Sequence, residues 1–115
     1  MNGDIRKYLF DIARAAADAT EFIENVSFGD YTQRKLVRAA VERQLIIIGE
    51  AVIHLRKRAP EYTSVLSADV SSIVAFRNRL VHGYDTVDDA IVYKIATRDL
   101  PALRQEVLAL LESSQ

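Results

Sequence analysis

The residues best suited to chemistry stand together in the segment FRNRLVHGYD, residues 76–85. Arg77 offers a permanent charge and a planar fork that fits the oxygens of a phosphate. His82 carries the side chain that most readily exchanges a proton near neutral pH. Together these groups have the means to hold a phosphodiester and to move a proton to or from one of its oxygens. RNA needs little more for cleavage, because its own 2′-hydroxyl can be the nucleophile, whereas DNA lacks that group.

The spacing of this pair sets a geometric condition. At about 100° per residue, Tyr84 falls within about 20° of Arg77 around a helix, whereas His82 lies about 140° away. Only a break near Gly83, or a second chain, would let all three side chains converge. An ordinary helix end remains the alternative, because the helix dipole favours Arg and His there and a glycine is a common C-cap.

The helices that must position this segment are marked by apolar residues at steps of three and four. A first helix is predicted over about residues 4–25, with Asp4 accepting from the first-turn amides and the end near Asn25. A second and longer helix is predicted to open at Asp30 or Thr32.

The second helix has a wider apolar stripe than one neighbour would cover. Ile46, Ile47 and Ile53 add to it, so we expect this helix to contact more than one surface. Pro60 closes it. The basic run before the proline, residues 56–58, is interpreted as a solvated helix end that offsets the dipole, with weak phosphate contact as the alternative.

A third helix is predicted to carry the FRNRLVHGYD segment. A polar loop over residues 61–64 leads to it, and Ser67 or Asp69 is its expected N-cap. Gly83 is the natural stop.

A fourth helix is predicted to start within residues 85–89. A kink or restart is expected near Asp99, with Pro101 in the first turn of the continuing segment. No strand-like alternation and no internal repeat is present. The prediction is therefore an all-α fold, an antiparallel four- to five-helix bundle that forms a single domain over residues 1–115.

The composition is that of a globular protein in a reducing compartment. The 115 residues are half hydrophobic and 27% charged, which suits one folded domain. The absence of Cys excludes disulfides and thiolate zinc sites. No long apolar run and no apolar signal-peptide core is present, so a cytoplasmic protein without membrane contact is expected. The net charge of −1 means that any nucleic-acid contact must be local or built by two chains.

Other ionisable residues are also site candidates. Glu42 and Glu50 are about 12 Å apart along a helix, too far to share a proton. Each is expected to pair with Arg43 or with an arginine of the third helix, and Glu50 is the best candidate to orient Arg77. His54 lacks the HxxxH or HExxH spacing of a metal site, so no metal and no cofactor is expected. The tyrosines outside the motif are expected to pack rather than to serve as stacking platforms: Tyr8, Tyr31, Tyr62 and Tyr93.

Three stretches of the sequence resemble one known family. IVAFRNRLVHGY, residues 73–84, resembles the signature of the HEPN superfamily, an arginine followed four to six residues later by a histidine, in the RNxxxHGY form of its HepT-like branch. AVERQLIIIGEA, residues 40–51, resembles the second-helix pattern of that branch, and residues 88–103 resemble its closing segment. The likeness spans nearly the whole chain, with the stretches in the same order.

The resemblance implies a helical homodimer in which the motifs of both subunits face a shared cleft, with Arg77 of one chain near His82 of the other. It implies a toxin of a toxin-antitoxin pair that cleaves RNA without metal, on tRNA in some members. The implied partner is a minimal nucleotidyltransferase antitoxin that transfers AMP from ATP to the tyrosine of the motif. Arg77 and His82 would then be catalytic, Asn78 supporting and Tyr84 modified. A non-catalytic helical module that binds a nucleotidyltransferase is the alternative.

Overall fold

The computed structural model describes residues 1–83 and 87–113, and within them the only regular secondary structure is helical, which confirms the predicted all-α fold. None of the helices in these two ranges is long and apolar enough to cross a membrane. The helices are α1 (Gly3–Ile23), α2 (Phe28–Gln33), α3 (Lys35–Arg58), α4 (Pro60–Thr63), α5 (Val70–His82), α6 (Asp89–Lys94) and α7 (Leu100–Ser113), with a π-helical segment (Ile95–Asp99) between the last two.

The N-terminus of α1 is capped by a different residue from the one predicted. The side chain of Asn2 accepts a hydrogen bond from Ile5 N at 2.9 Å, because its extended backbone places it just outside the first turn. Asp4, the predicted acceptor, lies inside the helix and pairs with Arg58 at 3.2 Å. Beyond the helix end, Asn25 adopts a φ of 60°, a left-handed conformation that Asn tolerates better than most residues.

The predicted long second helix is two helices, so the prediction that it opens at Asp30 or Thr32 is wrong. Ser27 caps the short α2 by accepting from Asp30 N at 3.1 Å. The backbone leaves the helical conformation at Arg34 (φ −111°, ψ 88°), and α3 begins after it. Arg38 donates to the Thr32 carbonyl oxygen at 2.6 Å, which satisfies a group freed by the break.

The predicted polar loop over residues 61–64 is also wrong in part, because Pro60 begins the short helix α4. Proline fits the first position of a helix, since its fixed φ is helical and its missing N–H would have had no partner there. The residue before a proline is pushed towards extended backbone, and Ala59 accordingly ends α3 with a ψ of 68°.

The core lies between α1, α3 and α7, with α2 and the segment after α6 closing one end. Each side chain that is removed from water there contributes about 1.5 to 3 kcal/mol. The largest fully buried aliphatic residues of these three helices are Leu9, Ile12, Val41, Ile48, Val52, Leu55, Leu103 and Val107. We call these three helices the platform, and α5 packs against its α3 member.

The predicted kink near Asp99 is a change of helix type. The chain is π-helical from Ile95 to Asp99, and α7 starts at the next residue with Pro101 in its first turn. Pro101 has no N–H to donate to the carbonyl of Thr97, so the regular α-helical ladder cannot run through this point. The hydroxyl of Thr97 donates instead to the carbonyl of Tyr93 at 2.7 Å.

The helix that carries the motif, α5, is capped at both ends as predicted. Asp69 accepts from Ser72 N at 3.2 Å, and the helix ends at the residue before Gly83. Ser67, the other N-cap candidate, donates from its backbone N–H to Glu106 of α7 at 3.1 Å. This bond ties the loop before α5 to the platform.

Candidate functional site

The site begins at the crossing of α3 and α5, where Gly49 lies directly under Arg77. A Cβ added at Gly49 would overlap Cβ and Cγ of Arg77 and would lie 3.7 Å from its Cα. Only glycine therefore allows the two backbones to approach this closely. The crossing fixes where the Arg77 side chain leaves α5.

The guanidinium of Arg77 is held by one residue of each helix. Its Nη2 donates to Oε1 of Glu50 at 3.4 Å, and its Nη1 donates to Oδ1 of Asn78 at 2.9 Å. Its Nε is buried and has no hydrogen-bond partner among the described residues. Arginine has five N–H donors, so one on each terminal nitrogen is left for a ligand. The side chain is 22% exposed, which partly shields these donors from bulk water.

His82 ends α5 with an exposed side chain. Because α5 is helical from Val70 to His82, the separation of about 140° from Arg77 expected for a regular helix applies. No break brings the two together: Gly83 N donates to the Arg79 carbonyl at 2.7 Å, as in an ordinary helix end. Tyr84, the third member of the predicted site, lies outside the described residues.

An apolar face of α3 surrounds the pair formed by Glu50 and Arg77. Ile46, Ile47 and Ile53 each lie within about 60° of Glu50 around the helix axis. All three are half-buried, so the described part of the chain does not cover them fully. We call this surface the α3 face. The prediction that this helix contacts more than one surface is confirmed, because α3 packs against both α1 and α5.

The carboxylate of Glu42 does not belong to this site. Contrary to expectation, Glu42 forms no ion pair with Arg43 or with an arginine of α5 among the described residues, and the charges that act on it are those of Asp89 and Arg38. Burial and then the negative charge of Asp89 raise the pKa of Glu42, and Arg38 opposes that shift. Burial also raises the pKa of Tyr31, whose hydroxyl has no hydrogen-bond partner in the described structure.

His54 takes part in an aromatic stack that the sequence did not predict. Its ring lies nearly parallel to that of Tyr8, at an angle of 11° with centroids 5.2 Å apart. The guanidinium carbon of Arg58 lies 5.7 Å from the centre of the same tyrosine ring. The spacing of four residues between His54 and Arg58 was visible in the sequence, but the approach of α1 was not. Within residues 1–83 and 87–113, no group of three His, Cys, Asp or Glu side chains is placed to hold a metal ion.

Known proteins are similar to this sequence over most of its length. The profile of the family described as Ribonuclease HepT-like matches residues 12–110. A protein of Methanocaldococcus jannaschii provisionally named as an RNase is 32% identical over 104 residues, which cover 90% of this chain and 94% of that protein. A probable ribonuclease HepT of Thermococcus cleftensis is 33% identical over 101 residues, 86% of this chain and 88% of that protein. No solved structure matches significantly. The chain, with its arginine and histidine on one helix of an all-α bundle, belongs to the HepT-like ribonuclease family.

Proposed function

We propose that this chain is a metal-independent endoribonuclease in which Arg77 and His82 form the catalytic pair. The observation that carries this proposal is the way in which Arg77 is held between α3 and α5. Its guanidinium is oriented by Glu50 and Asn78, and two N–H donors remain for the oxygens of a phosphate. An exposed histidine, the group best suited to proton transfer near neutral pH, ends the same helix.

The reaction needs only groups that the RNA and this pair supply. The 2′-hydroxyl attacks the adjacent phosphorus, and the bond to the 5′-oxygen of the next nucleotide breaks. Arg77 stabilises the charge on the non-bridging oxygens, and His82 takes the proton from the attacking hydroxyl or gives one to the leaving oxygen. Glu50 and Asn78 act on Arg77 rather than on the RNA. The need for a 2′-hydroxyl makes DNA a non-substrate.

The active form is a homodimer, because one helix does not bring Arg77 and His82 together. A twofold axis beside α5 would place Arg77 of one subunit near His82 of the other and would double the local positive charge. The α3 face supports this arrangement, since its half-buried isoleucines border Glu50 and are suited to a second chain.

Subunit mixing tests the shared site. Arg77→Ala and His82→Ala are each inactive as homodimers, but a mixed dimer holds one intact pair. An equimolar mixture, unfolded and refolded together, should recover about a quarter of wild-type cleavage, because half of the dimers are mixed and each has one working site of two. Cleavage that stays absent in a mixture shown to contain mixed dimers contradicts a site built from two chains.

The biological role that fits this activity is that of a cytoplasmic toxin restrained by a nucleotidyltransferase antitoxin. The antitoxin transfers AMP from ATP to the oxygen of Tyr84 and releases pyrophosphate. Tyr84 follows His82 by two residues, so the modification adds a bulky anion beside the proton-transfer group. That anion repels the phosphates of RNA and fills the space they would occupy.

The activity is tested by expressing wild type, Arg77→Ala and His82→Ala in cells that lack the partner. Wild type should arrest growth and cleave RNA in the presence of a chelator, whereas both variants should not. Arg79→Ala is the matched control, because Arg79 is an exposed arginine of the same helix that the mechanism does not use. If all four strains grow equally and the purified proteins leave RNA intact, the ribonuclease proposal fails and the non-catalytic binding module replaces it.

The modification is tested separately by intact-mass measurement after incubation with the cognate nucleotidyltransferase and ATP. Wild type and Tyr62→Phe should gain the mass of AMP, and Tyr84→Phe should not. A Tyr84→Phe protein that still gains the mass of AMP refutes the assignment.

A further inference from the structure

A second surface of the protein combines stacked rings with cations at the meeting of the start of α1 and the end of α3. It consists of Tyr8, His54, Lys57 and Arg58, and we call it the basic ledge. The rings of Tyr8 and His54 stack, and Arg58 lies against the same tyrosine. None of these residues has a part in the proposed cleavage reaction.

Of the two stacked residues, His54 is the more exposed. One face of the His54 imidazole lies on Tyr8, and the residue as a whole is exposed. A planar ring that arrives from solvent can therefore extend the stack on the other face of the imidazole. Aromatic platforms of this kind bind unpaired nucleic-acid bases, because every base has a face that stacks.

The cations of the ledge are available to an anionic ligand. Lys57 is exposed and forms no ion pair within the described residues. Arg58 is paired with Asp4 at 3.2 Å, but both side chains are more than half exposed, at 51% and 70%. Such a pair is weak, so a phosphate can take the place of the carboxylate. Asp11, one turn after Lys7 on α1, is paired with that lysine.

The ledge continues the face of α3 that holds Arg77. His54 and Lys57 lie within about 40° of Glu50 around the helix and about 6 to 11 Å further along it. His54 and Lys57 come after the last isoleucine of the α3 face, so the ledge lies at the edge of the surface assigned to the second subunit. A strand whose phosphate lies at Arg77, which Glu50 contacts, can reach the ledge along that edge.

We propose that the basic ledge binds single-stranded RNA next to the cleaved phosphate, with one base stacked on His54 and the backbone phosphates on Lys57 and Arg58. The identification of the ligand as substrate rests on the proposed ribonuclease function. The ledge discriminates against duplex RNA, because paired bases cannot leave their own stack to join Tyr8 and His54.

The test uses a short single-stranded oligonucleotide with 2′-O-methyl groups, which cannot be cleaved, and measures fluorescence anisotropy at several salt concentrations. His54→Ala should raise Kd at least about fivefold, because stacking of one base is lost. Lys57→Ala should weaken binding and lower the slope of log K against log salt by about 0.7, the value for one phosphate contact on a single strand. Lys35→Ala, an exposed lysine at the other end of α3, should change Kd less than twofold and is the matched control.

Two further variants separate stacking from charge and from folding. His54→Phe keeps the stack with Tyr8 and should bind nearly as tightly as wild type, whereas His54→Lys brings a cation but no ring and should not. Thermal unfolding of each variant shows whether α1 stays in place. A His54→Ala protein that is folded and binds like Lys35→Ala overturns the ledge, as does equal binding of duplex and single strand.

The outcomes also separate this inference from the proposed function. If wild type cleaves RNA and His54→Ala binds and cleaves RNA normally, the ribonuclease proposal holds and the proposal for the ledge fails. If wild type binds the oligonucleotide but cleaves no RNA, and His54→Ala loses that binding, the proposal for the ledge holds and the ribonuclease proposal fails.

Discussion

The platform of α1, α3 and α7 is packed more completely than the helix α5. The platform buries side chains completely, from Leu9 and Ile12 on α1 to Val107 on α7. Leu80, still 8% exposed, is the one buried residue of α5, and α5 packs mainly on α3. A groove of about 470 Å³, lined by Ile73 and Phe76 among others, separates α5 from α7.

The difference shows that the helices that stabilise this bundle are packed more tightly than the helix that carries the candidate site. Burial on the platform supplies most of the hydrophobic free energy, while α5 is held by apolar side chains that are mostly half-buried, one close crossing, two caps and a partly exposed ion pair. Changes in α5 should therefore disturb the position of the site before they unfold the protein.

The largest expected effect lies on the platform. Ile12→Ala should lower the free energy of unfolding by about 2 to 5 kcal/mol, because Ile12 is completely buried and the platform cannot close the cavity. Ile73→Ala, the same change at the half-buried edge of the groove, should cost under about 2 kcal/mol. Urea denaturation followed by circular dichroism measures both. Equal losses for the two variants would show that α5 is packed as tightly as the platform.

The crossing at Gly49 comes next. Gly49→Ala should cost about 1 to 3 kcal/mol, because the new methyl group overlaps Arg77 and the helices must separate. The displaced guanidinium should reduce kcat for RNA cleavage on the order of ten- to a hundredfold. Gly29→Ala is the control: the nearest atom to its added Cβ is 3.9 Å away, so stability and cleavage should stay near wild type. If Gly49→Ala cleaves RNA at the wild-type rate, the close crossing at Gly49 is not needed to position Arg77.

The ion pair between Glu50 and Arg77 should matter more for cleavage than for folding. The two side chains are 45% and 22% exposed, so Glu50→Gln should change the free energy of unfolding by less than about 1 kcal/mol. A fall in kcat at unchanged stability is expected, since Arg77 loses the group that orients it. Asp11→Asn, which removes an ion pair on α1, should leave kcat unchanged. If Glu50→Gln has the wild-type kcat, the ion pair does not orient Arg77 for cleavage.

The smallest effect concerns Glu42 on the platform side. Burial and Asp89 raise its pKa in the folded protein, so the native state binds the proton more tightly than the unfolded chain does. The contribution of Glu42 to stability is then full at low pH and is lost as the pH rises from about 4.3, the unfolded value, through the folded pKa. The stability of Glu42→Gln relative to wild type should therefore increase between pH 4 and pH 7. Urea midpoints of both proteins across that range measure it, and a difference that is constant with pH contradicts the shift.

Much of the fold could be predicted from local pattern. The apolar spacing gave the all-α class, and Asp69, Gly83 and Pro101 marked the ends of helices through chemistry that acts within a few residues. The predicted opening of the long helix failed because the chain breaks at Arg34. The break before α3 is accompanied by Arg38 on the Thr32 carbonyl, which the positions of Asp30 and Thr32 alone did not indicate.

The sequence by itself determined the helical class, the position of Arg77 and His82 on one helix, and the angle between them, because helical geometry is fixed by residue spacing. Only the tertiary structure decided that Gly49 lies under Arg77 and that His54 stacks on Tyr8, whereas the contact of Glu50 with Arg77 was already expected from the sequence. Periodicity shows which face of a helix is apolar. It does not show which residue of another helix will lie opposite, because that depends on how side chains from both helices pack at the crossing.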